Sequence, residues 1–188
     1  MKKLIITEKR LKEIISEEIS NLIREKIEEQ SKNIVIDAPS NKKPIDNSIK
    51  IFLAGTIDKD KGSEDWQHQV CDIITKTTDN KYNITIYNPR RYEFPDDDSS
   101  AVKTQIKWEH KHLDDADLII MNLLEDSQSP ISLMEIGMYA NTGKMHVFCK
   151  PKFWRYDNVA MVCKKYNIPL HNTNDVEEIV KLILKQKK

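Results

Sequence analysis

Glycine is scarce in this sequence, with four among 188 residues. A phosphate-binding P-loop needs the pattern GxxxxGK[ST] and a dinucleotide-binding turn needs GxGxxG, and the chain contains neither pattern. Cysteine is also rare: Cys71, Cys149 and Cys163 are odd in number, widely spaced and without a CxxC pair. They indicate reduced thiols in a cytoplasmic protein rather than a disulfide framework or a zinc site.

Neither sign of charge predominates, because 30 lysines and arginines balance 30 aspartates and glutamates. A balanced chain has no overall field that would attract a nucleic acid polymer or a membrane surface. No apolar run approaches the length of a membrane span, and residues 1–7 lack the apolar region of a signal peptide. The composition therefore favours a protein with neither a nucleic acid polymer nor a membrane as its partner.

Residues 8–31 place isoleucine and leucine at helical spacing among lysines and glutamates, which predicts an amphipathic helix. Residues 37–46 follow as a polar linker that contains two prolines. We therefore divide the chain into a helical extension with its linker, residues 1–47, and a main domain, residues 48–188. The apolar face of the helix is expected to pack on a partner subunit or on the main domain.

From residue 49 onward, short apolar runs alternate with helical patterns. The five predicted strands cover residues 49–54, 83–87, 117–124, 145–149 and 168–170. The predicted helices cover about 63–78, 101–114 and 156–166, with two more beginning near residues 130 and 175. Such alternation is typical of an α/β fold with a parallel sheet and helices on both faces. With five strands, we expect the flavodoxin-like (Rossmann-like) order 2-1-3-4-5.

Glu135 is the leading candidate for a chemical role, because it closely follows the buried strand predicted at 117–124. Ser129 and Pro130 predict a helix start, with the serine as the cap and the proline at the first helical position. Glu135 then lies in the early turns of a helix at the carboxyl edge of the sheet, where open α/β folds bind ligands. Alternatively, Ser132 and Glu135 form a capping box, in which the glutamate only satisfies a backbone N–H. The local pattern leaves both interpretations open.

Two other loops leave predicted strands with residues suited to ligand binding. In the first, Gly55 would let a ligand approach the backbone closely, and Asp58 could bind a sugar hydroxyl. The alternative is an ordinary turn, followed by a helix that Ser63 caps and that places Trp66 in the core. In the second loop, residues 88–91 either contact a base or phosphate or end the strand with solvated arginines.

Glu109, His110 and His112 form an E-H-x-H cluster of the kind that can suggest a metal site. Positions i and i+2 of a helix face different directions, so joint ligation is not expected. The aspartates at 96–98, in a proline-led loop, indicate a solvated turn or part of a lid over a pocket. We therefore predict no metal ion, and nothing in the sequence implies a cofactor.

Five motifs follow one another along the chain: Phe52-Leu53-Ala54-Gly55-Thr56-Ile57-Asp58, Asp65-Trp66-Gln67, Asn88-Pro89-Arg90-Arg91, Trp108-Glu109 and Ser129-Pro130-Ile131-Ser132-Leu133-Met134-Glu135-Ile136-Gly137. Together they resemble the nucleoside 2-deoxyribosyltransferase family, most closely its branch of compact bacterial and phage proteins. The resemblance covers about residues 49–170. It implies an enzyme whose partners are deoxynucleosides and free nucleobases, or deoxynucleotides.

The resemblance implies that Glu135 is the nucleophile and that Glu109, 26 positions earlier, handles the leaving base. Better-studied members usually carry aspartate at the second of these positions. A further family acid, six positions before the nucleophile, corresponds to Ser129, and Asp126 or Glu125 could replace it from the same loop. The chain thus has a carboxyl at both of the positions that the resemblance implies are catalytic. It departs from the family at Glu109, where aspartate is usual, and at Ser129, where the family carries an acid.

Asn158 resembles an asparagine that reaches into a neighbouring subunit's site, which implies a homo-oligomer. The resemblance and the loop analysis together give the substrate-binding candidates Phe52, Gly55, Thr56, Asp58, Trp66, Asn88, Arg90, Arg91, Ser129, Ser132 and Asn158.

The implied chemistry is transfer of 2-deoxyribose between nucleobases by two displacements, through a covalent deoxyribosyl-glutamate, as in retaining glycosidases. Glu135 must then be ionised and Glu109 protonated, and the apolar Trp108 and the charge of Glu135 would raise the pKa of Glu109. One rival is a deoxynucleoside 5′-monophosphate N-glycosidase, favoured if Arg90, Arg91, Ser129 and Ser132 converge on a phosphate. Another is a nucleotide- or metabolite-binding module without turnover.

Overall fold

The computed structural model describes residues 12, 15, 16, 18, 19, 33–57, 65–77, 83–91 and 99–186. Its strands are β1 (Asn33–Asp37), β2 (Ile49–Gly55), β3 (Ile84–Asn88), β4 (Leu118–Leu123), β5 (Met145–Cys149) and β6 (Leu170–His171). Outside the N-terminal stretch, its helices are α1 (Trp66–Lys76), α2 (Ser99–Asp115), α3 (Pro130–Tyr139), α4 (Tyr156–Tyr166) and α5 (Val176–Leu184).

The strands form one parallel sheet in the order β1-β3-β2-β4-β5-β6. The five strands predicted from the sequence are β2 to β6, and their order across the sheet is the predicted 2-1-3-4-5. The Rossmann-like α/β fold is therefore confirmed. Because all strands run the same way, β2, β3 and β4 end at one edge of the sheet, at Gly55, Asn88 and Leu123.

The sheet has six strands where five were predicted, and the additional one is the edge strand β1. The side chain of Asn33 anchors β1, because its Nδ2 donates to the carbonyl of Ile74 (2.8 Å) and its Oδ1 accepts from the amide of Ile84 (3.1 Å). The sequence did not predict this strand because its apolar run, Ile-Val-Ile, is short and follows a helical pattern of lysines and glutamates. The strand precedes the predicted boundary at residue 47.

The helix predicted over residues 8–31 lies almost entirely outside the described residues. The few described positions in this stretch are helical, and the side chains of Ile15 and Ile19 are about half exposed. The predicted linker contacts the main domain, since the indole N–H of Trp108 donates to the carbonyl of Ser40 (2.8 Å). The division of the chain at residue 47 stays a prediction.

Alternate side chains of the central strands pack into two cores, one on each face of the sheet. Phe52 and Ala54 of β2 pack with apolar residues of α2, α3 and α4. Ile51 and Leu53, pointing the other way, pack with α1 and α5. A parallel sheet covered on both faces needs apolar residues at consecutive positions, which is why its strands read as continuous apolar runs.

The three cysteines, Cys71, Cys149 and Cys163, are buried free thiols, as predicted. Burial raises the pKa of Cys149 to about 12 and that of Cys163 to about 11, so both stay protonated and unreactive. Within the described part of the chain, no helix combines the length and apolar character that crossing a membrane requires.

Candidate active site

A cavity of about 500 Å³ opens at the carboxyl edge of the sheet. Its lining comes from the end of β2, the loops after β2, β3 and β4, helix α2 and the first turns of α3. Open α/β sheets bind small ligands at this edge, and the volume is in the range of small-molecule sites. The cavity is therefore the candidate active site.

The structure brings together in this cavity the predicted site residues Phe52, Gly55, Thr56, Arg91, Glu109, Ser129, Ser132 and Glu135. Much of the remaining wall is apolar, with Val102 and Ile106 from α2 and Ile131 and Met134 from α3. A mainly apolar cavity with a few convergent polar groups is typical of a small-molecule binding site. The chemical roles of the residues stay predictions.

Trp66 lies outside this lining, in the core behind the loop after β2. It is 2% exposed, and its indole N–H donates to the carbonyl of Thr56 (3.1 Å). The helix that it begins is capped by Asp65, whose carboxylate accepts from the amide of His68 (2.9 Å). Trp66 therefore supports the shape of the loop after β2 and is not among the described residues that line the cavity. Ser63, the expected cap, lies outside the described residues.

Asn88 and Arg90 hold the loop after β3 in place instead of lining the cavity. Asn88 donates to Oδ1 of Asp37 (2.8 Å) and accepts from the amide of Arg90 (3.1 Å). The guanidinium of Arg90 is paired with the carboxylate of Asp65 (3.0 Å) and is largely buried. Of the two arginines, Arg91 is the one whose side chain faces the candidate site.

Gly55 is required by the packing of the sheet itself. Its φ is +129°, and a Cβ at this position would lie 2.1 Å from the carbonyl oxygen of Asn122 on the neighbouring strand. No side chain fits there, so the close approach of two strands explains the glycine without a ligand. Asp58, predicted to bind a sugar hydroxyl from the same loop, lies outside the described residues.

Asn158 does not reach the candidate active site of its own chain. It lies on α4 and lines a second cavity of about 320 Å³ with Trp154, Arg155 and residues of α3 such as Leu133. Its side chain is exposed. A role for Asn158 across a subunit contact stays a prediction.

Helix α3 begins where the serine–proline pair predicts. Ser129 is the N-cap residue, in the left-handed conformation with φ 44°, and Pro130 is the first helical residue. Ser132 is therefore inside the helix, and Glu135 lies more than a turn from its start. The capping-box interpretation of Glu135 is wrong, because Ser132 would have to be the cap.

Glu135 is a buried carboxyl, 7% exposed, that faces a cavity. Among the described residues its side chain has no hydrogen-bond partner and no ion pair. A buried carboxyl without such partners loses its hydrogen bonds to water on folding, and no hydrogen bond within the protein replaces them. This is a costly arrangement for a structural residue and a useful one for a nucleophile that must meet a substrate carbon.

Glu109, on α2, faces the same cavity and is partly buried. Its Oε1 accepts a hydrogen bond from Nε2 of Gln105, one helical turn earlier, at 2.8 Å. Burial raises the pKa of Glu109, while the Gln105 hydrogen bond and the nearby His110 oppose that rise. Trp108, expected to form an apolar wall beside Glu109, instead lies in the core and is absent from the described lining.

The two carboxyls are electrostatically coupled. Burial, and then the negative charge of Glu109, raise the pKa of Glu135 to about 7. From the sequence, a raised pKa was expected for Glu109 alone, whereas burial raises the pKa of both carboxyls. Two interacting carboxyls release their protons in steps that belong to the pair, so the charge on Glu109 makes Glu135 harder to ionise.

Three hydroxyls meet beside the first turn of α3. The Ser129 hydroxyl lies 2.7 Å from that of Thr56 and 2.9 Å from that of Ser127. Thr56 also accepts from the amide of Leu124 (3.0 Å), which fixes the cluster to the end of β4. Ser127 was not among the residues predicted from the sequence, although its position two residues before Ser129 in the same loop is a signal that points to it.

The acids proposed to replace the family acid at Ser129 are not at the cavity. Glu125 is paired with Lys150 (3.3 Å), and Asp126 is exposed. Within the described residues, neither side chain belongs to the lining. At this point the cavity is lined by the hydroxyl cluster of Thr56, Ser127 and Ser129.

The histidines that follow Glu109 point in different directions, as expected. His112 is buried, donates from Nδ1 to the carbonyl of Trp108 (2.7 Å) and packs on the Trp108 ring. His110 is exposed at the cavity. In the described ranges, no three histidine, cysteine or acidic side chains cluster as metal ligands would.

A family model described as nucleoside 2-deoxyribosyltransferase like matches residues 48–153, more than half of the chain. The chain belongs to this family. A search of curated proteins finds no match. The matched region of this deoxyribosyltransferase-like protein contains Glu109, Glu135 and the ends of β2, β3 and β4, so the family assignment and the cavity concern the same part of the molecule.

The raised pKa of Glu135 predicts a pH-dependent stability difference between this deoxyribosyltransferase-like protein and its Glu135→Gln variant. The unfolded chain releases the Glu135 proton near its ordinary pKa of 4.5, whereas the folded protein keeps it until about 7. The stability of the parent protein therefore falls across that window, by about 3 kcal/mol from this group.

Glutamine does not ionise, so we expect Glu135→Gln to melt progressively higher than the parent as the pH rises from 5 to 8. The gain should level off above about pH 7. Melting curves at several pH values measure it, with Glu125→Gln as the control at an ion-paired position off the cavity. A stability difference that stays constant across this range would contradict the raised pKa.

Proposed function

We propose that this protein transfers 2-deoxyribose between nucleobases, with Glu135 as the nucleophile and Glu109 as the general acid and base. The observation that supports this most strongly is that a buried and a partly buried carboxyl face one mainly apolar cavity and interact electrostatically. A nucleophilic carboxylate needs a free approach to carbon, and Glu135 faces the cavity with no hydrogen-bond partner among the described residues.

In the first step, the Glu135 carboxylate attacks C1′ of the bound deoxynucleoside as the bond between C1′ and the base nitrogen breaks. The electron pair of that bond stays with the base, and Glu109 supplies a proton to the base, which leaves neutral. The transition state resembles an oxocarbenium ion. The anionic Glu135 stabilises the positive charge that develops on the sugar.

In the second step, a nitrogen of an incoming base attacks C1′ from the face that the first base left. The bond between C1′ and Glu135 breaks, and Glu109, now ionised, takes the proton that the incoming base loses. If water attacks instead, the products are free deoxyribose and the original carboxylate pair. Transfer and hydrolysis therefore differ only in the acceptor.

A second candidate function is cleavage of deoxynucleoside 5′-monophosphates with transfer of the sugar to water. It is favoured by the hydroxyl cluster of Thr56, Ser127 and Ser129 beside the first turn of α3, with Arg91 in the same cavity. Hydroxyls, a guanidinium and a helix N-terminus are groups that bind phosphate, whereas a carboxylate at position 129 would repel it.

One assay distinguishes these functions. The protein is incubated with deoxyinosine and free adenine, and in parallel with deoxyinosine 5′-monophosphate, and the products are separated by chromatography. Deoxyadenosine in the first incubation supports transfer. Hypoxanthine released from the monophosphate but not from the nucleoside supports the second candidate. No reaction in either, with retained binding, would contradict both and leave a binding module.

We further propose that the protein is a homo-oligomer built around the mouth of the cavity. Ile131 and Met134 of α3 and Ile106 of α2 are about half exposed although they line the cavity. Met138 extends this apolar surface along α3 and is also about half exposed. A second copy of the chain that covers this surface would close the cavity to water.

Met138→Glu tests this proposal without touching the cavity lining. We expect sedimentation velocity to show a shift towards monomer, because a charge would have to be buried in the contact. The matched control is Ile73→Glu, at a partly exposed position of α1 on the opposite face of the sheet, which should leave the assembly unchanged. A parent protein that is monomeric at micromolar concentration would rule the proposal out.

A further inference from the structure

Gln105 makes two hydrogen bonds from one nitrogen, and both end at the edge of the candidate active site. Its Nε2 donates to the carbonyl of Pro89 (2.8 Å), just after β3, and to Oε1 of Glu109 (2.8 Å), one turn later on α2. The side chain is 9% exposed, so water competes little for these bonds. Gln105 thus connects the sheet edge, the helix and the carboxyl proposed as general acid.

The carbonyl of Pro89 determines which way the Gln105 amide faces. A backbone carbonyl only accepts, so the amide nitrogen must lie on that side. A flipped amide would place its oxygen against the Pro89 oxygen and deprive it of a donor. The orientation is kept although the Gln105 oxygen is buried and, among the described residues, has no partner. The two hydrogen bonds that the nitrogen donates therefore stabilise this orientation by more than the unpaired oxygen costs.

We infer that Gln105 is a positioning residue that orients Glu109, which rests on the proposed role of Glu109 as general acid. Because Oε1 of Glu109 accepts from an N–H, the acidic proton sits on the other oxygen, Oε2. Gln105 therefore fixes the oxygen from which the base receives its proton. A general acid that is already held in the reactive orientation loses less conformational entropy on reaching the transition state.

The same hydrogen bond tunes how tightly Glu109 holds its proton. An N–H that donates to a carboxyl favours the ionised form, so Gln105 opposes the effect of burial on the Glu109 pKa. Among the described residues, the other charged or titratable groups at this cavity are Glu135 on α3, His110 on α2 and Arg91 after β3. Loss of the Gln105 donor should therefore raise the Glu109 pKa further.

Gln105→Met tests the inference, because methionine has nearly the same length and cannot donate. Glu109 must be protonated to act, so activity falls above its pKa, and we expect this alkaline limb to move to higher pH in the variant. The rate with an ordinary nucleoside should fall by about 10- to 100-fold from misorientation. A donor whose base is already cationic, such as 7-methyl-2′-deoxyguanosine, should lose much less.

Gln67→Met is the matched control. Gln67 is also a buried glutamine with an unpartnered oxygen among the described residues, and its nitrogen donates to a backbone carbonyl, that of Thr56 (3.2 Å). It makes no contact with Glu109, so its replacement should cost stability without moving the alkaline limb. An equal shift of the alkaline limb in both variants would mean that the loss of any buried glutamine has this effect, and it would overturn the inference.

A measurement without substrate separates this inference from the proposed function. Carbon-13 NMR of labelled glutamate carboxyls follows the titration of Glu109 in the parent protein and in Gln105→Met. A higher Glu109 pKa in the variant supports the role of Gln105 even if the protein turns over no nucleoside. An unchanged Glu109 pKa, or equal rate losses on ordinary and cationic donors, would overturn it even if the protein is an active transferase.

Discussion

Glu135→Gln should reduce turnover by at least about 10⁴-fold and leave the fold intact. Glutamine has the size and shape of the replaced residue but its amide is a very poor nucleophile towards C1′. No other carboxylate of the described residues besides Glu109 lines the cavity, so nothing nearby substitutes for the covalent step. The variant should lose transfer and hydrolysis equally, since both pass through the same deoxyribosyl-enzyme.

The covalent step can also be observed directly. Rapid acid quenching of the parent protein during turnover, followed by mass spectrometry, should show one added deoxyribosyl group on the peptide that contains Glu135. Glu135→Gln should show no such adduct. Slow acceptors should increase the fraction of modified protein, because they delay the second displacement.

Glu125→Gln controls for the loss of a negative charge near the site. Glu125 lies in the loop before α3, is paired with Lys150 and does not line the cavity, so its replacement should leave turnover nearly unchanged. If Glu135→Gln retained activity, or if an adduct formed on another residue, the nucleophile would have been assigned wrongly.

The start of α3 shows where sequence reasoning succeeds. A buried strand, a serine–proline pair and a glutamate five residues after the proline are all local features. Strand propensity and the fixed φ of proline act over a few residues, so they predict the strand, the helix start and the position of Glu135 without any tertiary information. The strand order followed because parallel strands joined by helices have few arrangements.

Gly55, Asn88 and Arg90 show why the local sequence does not separate ligand-binding residues from structural ones. Each has the composition of a ligand-binding residue, yet each is explained by a contact with a distant segment: the Asn122 backbone for Gly55, and Asp37 and Asp65 for the other two. Such partners lie far away along the chain, and nothing in the local sequence names them. Polar residues at a strand end are needed to hold loops as well as ligands.

Gln105 is an intermediate case. Its partner Glu109 is four residues later on the same helix, and this spacing places two side chains on one face. The pair was therefore accessible to sequence reasoning. Its second partner, the carbonyl of Pro89, depends on how α2 packs against the end of β3, and only the structure supplies that contact.

Glu109→Gln should slow transfer from ordinary deoxynucleosides by about 10²–10⁴-fold, the usual contribution of a general acid. The variant is a matched replacement, because the new amide oxygen can still accept from Gln105 while the side chain has no acidic proton to give. The apolar packing of the cavity should be unchanged. The loss therefore measures proton transfer rather than a collapsed site.

The size of the rate loss in Glu109→Gln depends on the leaving group of the donor. With 7-methyl-2′-deoxyguanosine the base is already cationic and departs without a proton, so the first displacement should be nearly as fast in Glu109→Gln as in the parent protein. The alkaline limb of the pH–rate profile with ordinary donors, which reflects ionisation of Glu109, should disappear in the variant.

Both displacements involve Glu109, so the second displacement should also be slower in Glu109→Gln. An incoming base must lose a proton, and Glu109→Gln has no carboxylate to accept it, so the deoxyribosyl-enzyme should accumulate with the cationic donor. Quenched samples analysed by mass spectrometry would show this accumulation on Glu135. Equal rate losses on ordinary and cationic donors, without accumulation, would mean that Glu109 only positions the substrate, and the acid for this reaction would have to come from elsewhere in the cavity.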